Sequence, residues 1–305
     1  MKVLITDNDL GDSELESRVL RDGLDADVVV RACRTEADVL AAVSETQPDG
    51  MLVQWAPITR AVLESAASCR AISRLGIGLD MIDLEAAAAR GIPVRNVPHY
   101  CTEEVATHAV ALGLALWRRL PDLDAQVRGG RWEAAAAADS MSRLSESTVG
   151  LIGMGRIGRL VADAYAQWGA TVVVSDPVSG DDPYERVSVE ELAARAQLIS
   201  LHAPLTAQTR NLVNDAFLAR CTQAPILINV SRGGLHDSAA VASALADGRL
   251  SGAGIDVFVT EPLPLDDPLR GAPHTILTPH AAWCSRQALP ELRRLAALNL
   301  VEELG

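Results

Sequence analysis

The chain reads as an α/β protein made of two doubly wound parallel-sheet domains. Two observations predict this. Short apolar runs rich in β-branched residues alternate with Ala/Leu-rich segments of helical length, the pattern of βαβ units. That alternation occurs as two series, separated by a long helical stretch. Length agrees, because 305 residues make about two domains of ~150 residues.

In the first series, residues 2–6, 28–30, 51–54, 71–74 and 93–96 read as strands, and 14–23, 36–46, 59–67 and 83–90 as helices. Residues 102–120 then read as one helix closed by Pro121. The five-alanine run at 134–138, beside Gly129-Gly130, reads as a connecting arm rather than a site. The second series places strands at 148–152, 171–175, 198–202, 226–230, 252–257 and 275–277, with a helix over 156–168.

Composition excludes several classes. With 49% apolar and 22% charged residues the chain is not disordered. A net charge of −13 without a basic block argues against a nucleic-acid groove. No apolar run reaches the ~18 residues of a membrane span. The N-terminus turns acidic after one short strand, unlike a signal peptide. Five scattered cysteines without a CxxC predict reduced thiols in a cytoplasmic protein. Cys101 or Cys284 could act as a nucleophile, but neither lies in a motif that needs one. No His/Cys/Asp cluster has metal-ligand spacing, so no metal is expected.

The segment Thr148-Val149-Gly150-Leu151-Ile152-Gly153-Met154-Gly155-Arg156-Ile157-Gly158 carries GxGxxG between a strand and a helix. In that context Gly153 permits a tight turn, Gly155 lets the backbone approach a pyrophosphate, and Gly158 allows close helix packing. The helix would aim its positive end and free N–H groups at the phosphates. The next strand ends at Asp176, where an acid accepts hydrogen bonds from both ribose hydroxyls and repels a 2′-phosphate. NAD is therefore the expected cofactor. A tight turn beside a solvated acid would explain each piece singly, but not their order.

Downstream lie Ile228-Asn229-Val230-Ser231-Arg232-Gly233-Gly234, then Gly254-Ile255-Asp256-Val257-Phe258, Glu261-Pro262 and Thr278-Pro279-His280-Ala281-Ala282-Trp283. With Asn96-Val97-Pro98 and Leu201-His202-Ala203-Pro204-Leu205-Thr206, these motifs resemble the D-isomer-specific 2-hydroxyacid dehydrogenases, over about residues 50–300. The tryptophan after Pro279-His280-Ala281-Ala282 gives the flavour of the C-terminal-binding-protein branch.

The resemblance implies a flavodoxin-like substrate domain, residues 1–97 plus 281–305, and a Rossmann NAD-binding domain, 98–280, with a cleft between them. The last helix would begin near residue 281. His280 would be the acid/base, because an imidazole can serve both directions near neutrality. Glu261 would hold that imidazole through its other ring nitrogen. Arg232 would bind the carboxylate and carbonyl of a 2-oxo acid through its planar fork of donors. All three follow predicted strands, on the side where parallel sheets hold ligands. Asp256 would accept from the nicotinamide carboxamide, giving a buried acid the partner it needs. His202 and Pro204 would line the adenosine, although His202 reads as readily as a loop cap. Arg156, Ile157, Thr209 and Val230 complete the implied cofactor set, which also includes Arg232 and His280.

Arg74-Leu75-Gly76-Ile77-Gly78-Leu79-Asp80-Met81 resembles the family's substrate-facing glycine loop. The amides of Ile77 and Gly78 would form a nest for the substrate carboxylate. Arg74 would meet a second anionic group, or is simply a surface arginine beside a strand end. Trp283 would form an aromatic wall, with Gln54, Trp55 and Tyr100 completing the pocket, unless Trp55 or Tyr100 is ordinary core.

The chain departs from the family pattern at Met81, usually asparagine, which could loosen the glycine loop. It departs again at Thr107, and at His236 and Ser238, where apolar and acidic residues are common. No regulatory domain is expected after Gly305. The resemblance also implies a homodimer formed by the 102–120 helix and the arm at 129–138.

The leading reading is an NAD-dependent oxidoreductase interconverting a small anionic 2-oxo acid and its D-2-hydroxy acid. The alternatives are an NAD(H)-binding corepressor-like protein with little turnover, or a phosphonate- or phosphite-type dehydrogenase on the same scaffold. Formate oxidation fits less well, because that branch carries glutamine where this chain has Glu261.

Overall fold

A computed structural model describes residues 1–178 and 180–305. They pack as two units: Met1–Cys101 with Cys284–Gly305, and Thr102–Trp283.

In the first unit β1 (Lys2–Ile5), α1 (Glu14–Leu24), β2 (Asp27–Val30), α2 (Glu36–Thr46), β3 (Gly50–Val53), α3 (Arg60–Ser65), β4 (Ala71–Arg74), α4 (Leu84–Ala89) and β5 (Val94–Arg95) alternate as expected. The strands are parallel in the order β2-β1-β3-β4-β5, the doubly wound order whose direction reverses between β1 and β3. Side-chain oxygens set the helix starts. Thr35 makes a capping box with Asp38, and Thr59 and Asp83 cap α3 and α4. β3 and β4 are buried at every position, as strands covered on both faces must be.

The second unit begins with α5 (Thr102–Trp117) and α6 (Leu120–Arg128). The expected single helix over 102–120 is thus two. Arg119 turns left-handed (φ 50°), and Pro121 lies in the first turn of the second helix, where its missing N–H costs nothing. The alanine run lies in a 3₁₀ helix, Ala134–Ser140. The sheet uses β6 (Thr148–Ile152), β7 (Thr171–Ser175), β8 (Glu185–Arg186), β9 (Leu198–Leu201), β10 (Ile226–Asn229), β11 (Gly252–Ile255) and β12 (Thr275–Leu277). All pairs are parallel, in the order β12-β11-β10-β9-β6-β7-β8. The order reverses between β6 and β9, which marks the ligand crevice of such sheets. Among the helices between them, α7 (Arg156–Gln167) packs on α5. A Cβ on Gly113 of α5 would sit 2.1 Å from the Tyr165 hydroxyl, so the glycine sets how closely those helices approach.

The final helix, Ala288–Leu304, starts seven residues later than the expected 281. Residues 281–287 are turns, because the Ala281 and Ala282 amides donate to the Asp256 carboxylate (2.8 and 2.9 Å) instead of entering a helix. No helix among the described residues is long and apolar enough to cross a membrane. All five cysteines are free thiols, and only Cys284 is exposed.

Candidate active site

Gly153, following β6, has φ +96°, and a Cβ there would meet the His202 carbonyl carbon at 2.6 Å. One on Gly158 would strike the Gly153 oxygen at 2.4 Å. Both positions are closed to any side chain. At Gly155 a Cβ would meet nothing within 4 Å, so the missing side chain leaves space open above the turn. That space lies at the amino end of α7, where Arg156 is exposed and Ile157 partly so. Backbone N–H groups aimed into a gap kept clear by glycine suit a pyrophosphate, so the residues fit a dinucleotide.

Asp176 ends β7. One carboxylate oxygen accepts from the Met154 amide (2.6 Å) and the other from Val178 (2.7 Å), so the acid braces the glycine turn. His202 directly follows β9, its amide bonded to Ile152 O (2.7 Å) and its Nε2 to the Ser200 hydroxyl (2.9 Å). Burial pushes its imidazole down to about 4. Thr209 closes a local turn by donating to the Pro204 carbonyl (2.6 Å), and Val230 is buried.

Three loops on the same side of the sheet carry the proposed chemistry. Arg232 follows β10, its guanidinium donating to the Ser231 carbonyl (2.6 Å). A Cβ on Gly233 would lie 2.0 Å from the Phe258 carbonyl carbon, so only glycine lets this loop press against the one leading to Glu261. Glu261 accepts the Phe258 amide (2.8 Å) on one oxygen and meets His280 Nδ1 on the other (2.7 Å). Burial alone would raise its carboxyl. The hydrogen bond and charge of His280, the Phe258 amide and the charge of Arg232 outweigh that and hold it below the usual carboxylate range. Nδ1 of His280 is thus engaged by the carboxylate. Its backbone is left-handed (φ 53°), fixed by its amide bonding Asp256 O (2.8 Å) and Thr278 O (3.0 Å). A non-glycine residue in that region is uncommon and is held there by its surroundings.

Asp256 is fully buried, and its partners come from the protein itself. Thr278 Oγ1 donates at 2.5 Å and the Ala281 and Ala282 amides at 2.8 and 2.9 Å. The buried acid is thus held by donors within the protein itself. His108 on α5 bonds the same Thr278 hydroxyl (3.1 Å), a contact no motif announces.

In the first unit, Asp7 at the carboxyl end of β1 is buried and gathers four donors. These are the Thr6 hydroxyl (2.7 Å) and the amides of Gln54, Trp55 and Ala56 (3.0, 2.6 and 3.1 Å). Gln54 itself is buried, its side-chain oxygen taken by the Asp9 amide (2.6 Å). Arg74 is not a surface residue. It is 6% exposed, donates to Gln54 O (3.3 Å) and stacks 5.0 Å over the Trp55 ring. Gly76 (φ +148°) makes room for it, since a Cβ there would sit 1.4 Å from the guanidinium. The Ile77–Gly78 turn is partly exposed. The support that Met81 lacks comes from Asn96, whose side chain donates to Ile77 O (2.6 Å). Tyr100 is buried and Trp283, in the second unit, half-buried. Among the described residues no three His, Cys, Asp or Glu side chains could hold a metal ion.

A sequence model of the D-isomer specific 2-hydroxyacid dehydrogenase NAD binding domain matches residues 110–282. The D-3-phosphoglycerate dehydrogenase of Mycobacterium tuberculosis is 40% identical over 256 residues, 82% of this chain and 48% of that protein. The chain thus spans about half the length of such relatives. The glyoxylate reductase of Korarchaeum cryptofilum is 36% identical over 252 residues, covering 80% of this chain and 76% of that protein. Among solved structures, D-lactate dehydrogenase from Aquifex aeolicus, complexed with NAD and lactic acid, superposes with a TM-score of 0.85 at 26% identity, covering 98% of this chain and 94% of that one. The C-terminal-binding-protein branch that Trp283 suggests is not the one these relatives represent.

Proposed function

The chain belongs to the D-isomer specific 2-hydroxyacid dehydrogenase family, and on that premise we propose that it is an NAD-dependent oxidoreductase interconverting a 2-oxo acid and a D-2-hydroxy acid. NAD, when bound, supplies or accepts the hydride. Thr102–Trp283 is the unit that takes it, through the Gly153–Gly158 turn and Asp176. A carboxylate fixed at the end of the second strand favours NAD over a 2′-phosphorylated dinucleotide.

His280 Nε2 gives a proton to the carbonyl oxygen on reduction and takes it back on oxidation. Glu261 holds the ring in the tautomer and orientation this requires, and stabilises the imidazolium. Arg232 binds the carboxylate and carbonyl oxygen, countering the charge that develops there. Ile77 and Gly78 are proposed to bind the substrate carboxylate, and Arg74 a second anionic group. The substrates are therefore small anionic 2-oxo acids, glyoxylate among those to try.

The observation that carries this reading is the 2.7 Å contact of His280 Nδ1 with Glu261, beside a loop whose arginine lowers the same carboxyl. NADH oxidation with a panel of 2-oxo acids tests it. The His280→Gln variant should lose on the order of 10²–10⁴ of the rate, the usual worth of a positioned acid/base. Glu261→Gln should lose less while still binding NADH. A parent chain no faster than His280→Gln on every 2-oxo acid would contradict the proposal.

A further inference from the structure

Asn229, the last residue of β10, is fully buried three residues before Arg232. Its amide can be oriented in only one way. The side-chain oxygen accepts the Ser231 amide (3.0 Å), so the nitrogen must face the two acceptors on its other side. These are the Arg232 carbonyl and His236 Nδ1, each at 2.9 Å. The amide donates both protons, and His236 Nδ1 must therefore be bare. The imidazole is neutral with its proton on Nε2, and that atom is buried with no hydrogen-bond partner among the described residues.

This arrangement is costly. A ring with 0% exposure carries an unsatisfied N–H where an apolar side chain would carry none. Its one polar contact secures the amide that in turn grips the Arg232 backbone. The rest of the loop leans on the same frame. The amides of Leu235 and His236 bond Arg232 O and Gly233 O (each 3.2 Å), and His236 bridges to Val213.

We infer that His236, through Asn229, is a positioning residue for Arg232, holding its loop in the register in which the guanidinium meets the substrate's carboxylate. This rests on the proposed role of Arg232. The charged groups that face the ring are Asp237 on its own loop and Asp267 from the turn preceding Pro268–Gly271. Burial outweighs the two acids and pushes His236 down to about 4, so Nδ1 stays available as an acceptor through the neutral range.

Three variants test this. His236→Leu keeps the volume and removes the acceptor, whereas His236→Gln offers a side-chain oxygen that does not titrate. Arg232→Gln tests the reading of the arginine separately. In His236→Leu, hydrogen exchange at the 231–236 amides should quicken, while NADH affinity stays within about twofold and the melting temperature is nearly unchanged. On the 2-oxo acid, kcat/KM should fall about tenfold, mostly through KM, because a displacement well short of 1 Å costs less than ~100-fold. His236→Gln should recover most of both losses.

The pH dependence has a definite sign. An unfolded histidine titrates near 6.5 and this one near 4, so the unfolded chain binds more protons between those values and stability falls as pH drops through that window. Both His236 variants should lose less stability there than the parent. Unchanged exchange at 231–236 in His236→Leu would overturn the positioning role whatever Arg232 does. Quickened exchange with unchanged KM, while Arg232→Gln is inactive, would overturn its link to substrate. An active Arg232→Gln would instead refute the role of the arginine and with it the substrate part of this inference, and the exchange data would still decide the positioning.

Discussion

The guanidinium of Arg74 stacks on Trp55, donates to the Gln54 carbonyl and occupies the space that Gly76 leaves free. Burying an arginine this far is expensive unless its charge is used. We predict that Arg74→Ala mainly impairs substrates with a second anionic group, raising their KM by about tenfold or more, since a charge-assisted hydrogen bond is worth roughly 1.5–3 kcal/mol. Steady-state kinetics across mono- and dianionic 2-oxo acids checks this, and an equal loss on all of them would refute it. Arg232, Glu261 and His280 could be singled out in sequence because each follows a recognisable strand inside a motif, and the structure brings the last two into contact. Asp7, Asn229 and His236 were not. Asp7 acts on amides 47 to 49 residues away, and a backbone N–H leaves no mark in the sequence. The polarity of His236 stood out as a departure, but its use depends on the orientation of one amide.

Among the elements, the strands were the most legible, because fully buried parallel strands must be continuous runs of apolar residues. β8 escaped notice as two polar residues, Glu185 and Arg186, which suit a short charged sheet edge. The 102–120 stretch misled because Leu-rich periodicity continues through the break, and Pro121 reads equally as an end or a beginning. The resulting α6 is unusual in burying none of its residues. Leu120 and Val127 are more than half exposed, and Trp132 beyond it is 87% exposed. These three lie on or beside the helix and arm for which the family resemblance implies a homodimer. We propose a second copy of this chain as the occupant, in a two-fold dimer, the commonest closed symmetry. Sedimentation should find the parent at twice its chain mass and Trp132→Glu shifted toward the monomer, whereas a monomeric parent would contradict this.

At the scale of the whole molecule, two parallel sheets each reverse their strand order once, and the residues proposed to act lie on loops beyond strand carboxyl ends, with Arg232, Glu261 and His280 after β10, β11 and β12 on one side of the reversal between β6 and β9. That common placement makes the chemistry plausible for residues 29 and 19 positions apart. It also explains why Asp7, beyond β1, braces the loop that carries Trp55 beyond β3. The most direct test of the central claim follows the transferred atom. With both hydrogens on the transferring carbon of NADH replaced by deuterium and glyoxylate replaced by a chiral-product 2-oxo acid, chiral separation and mass spectrometry should find the D-2-hydroxy acid carrying one deuterium on carbon 2. An L product, or a product without the label, would contradict the account.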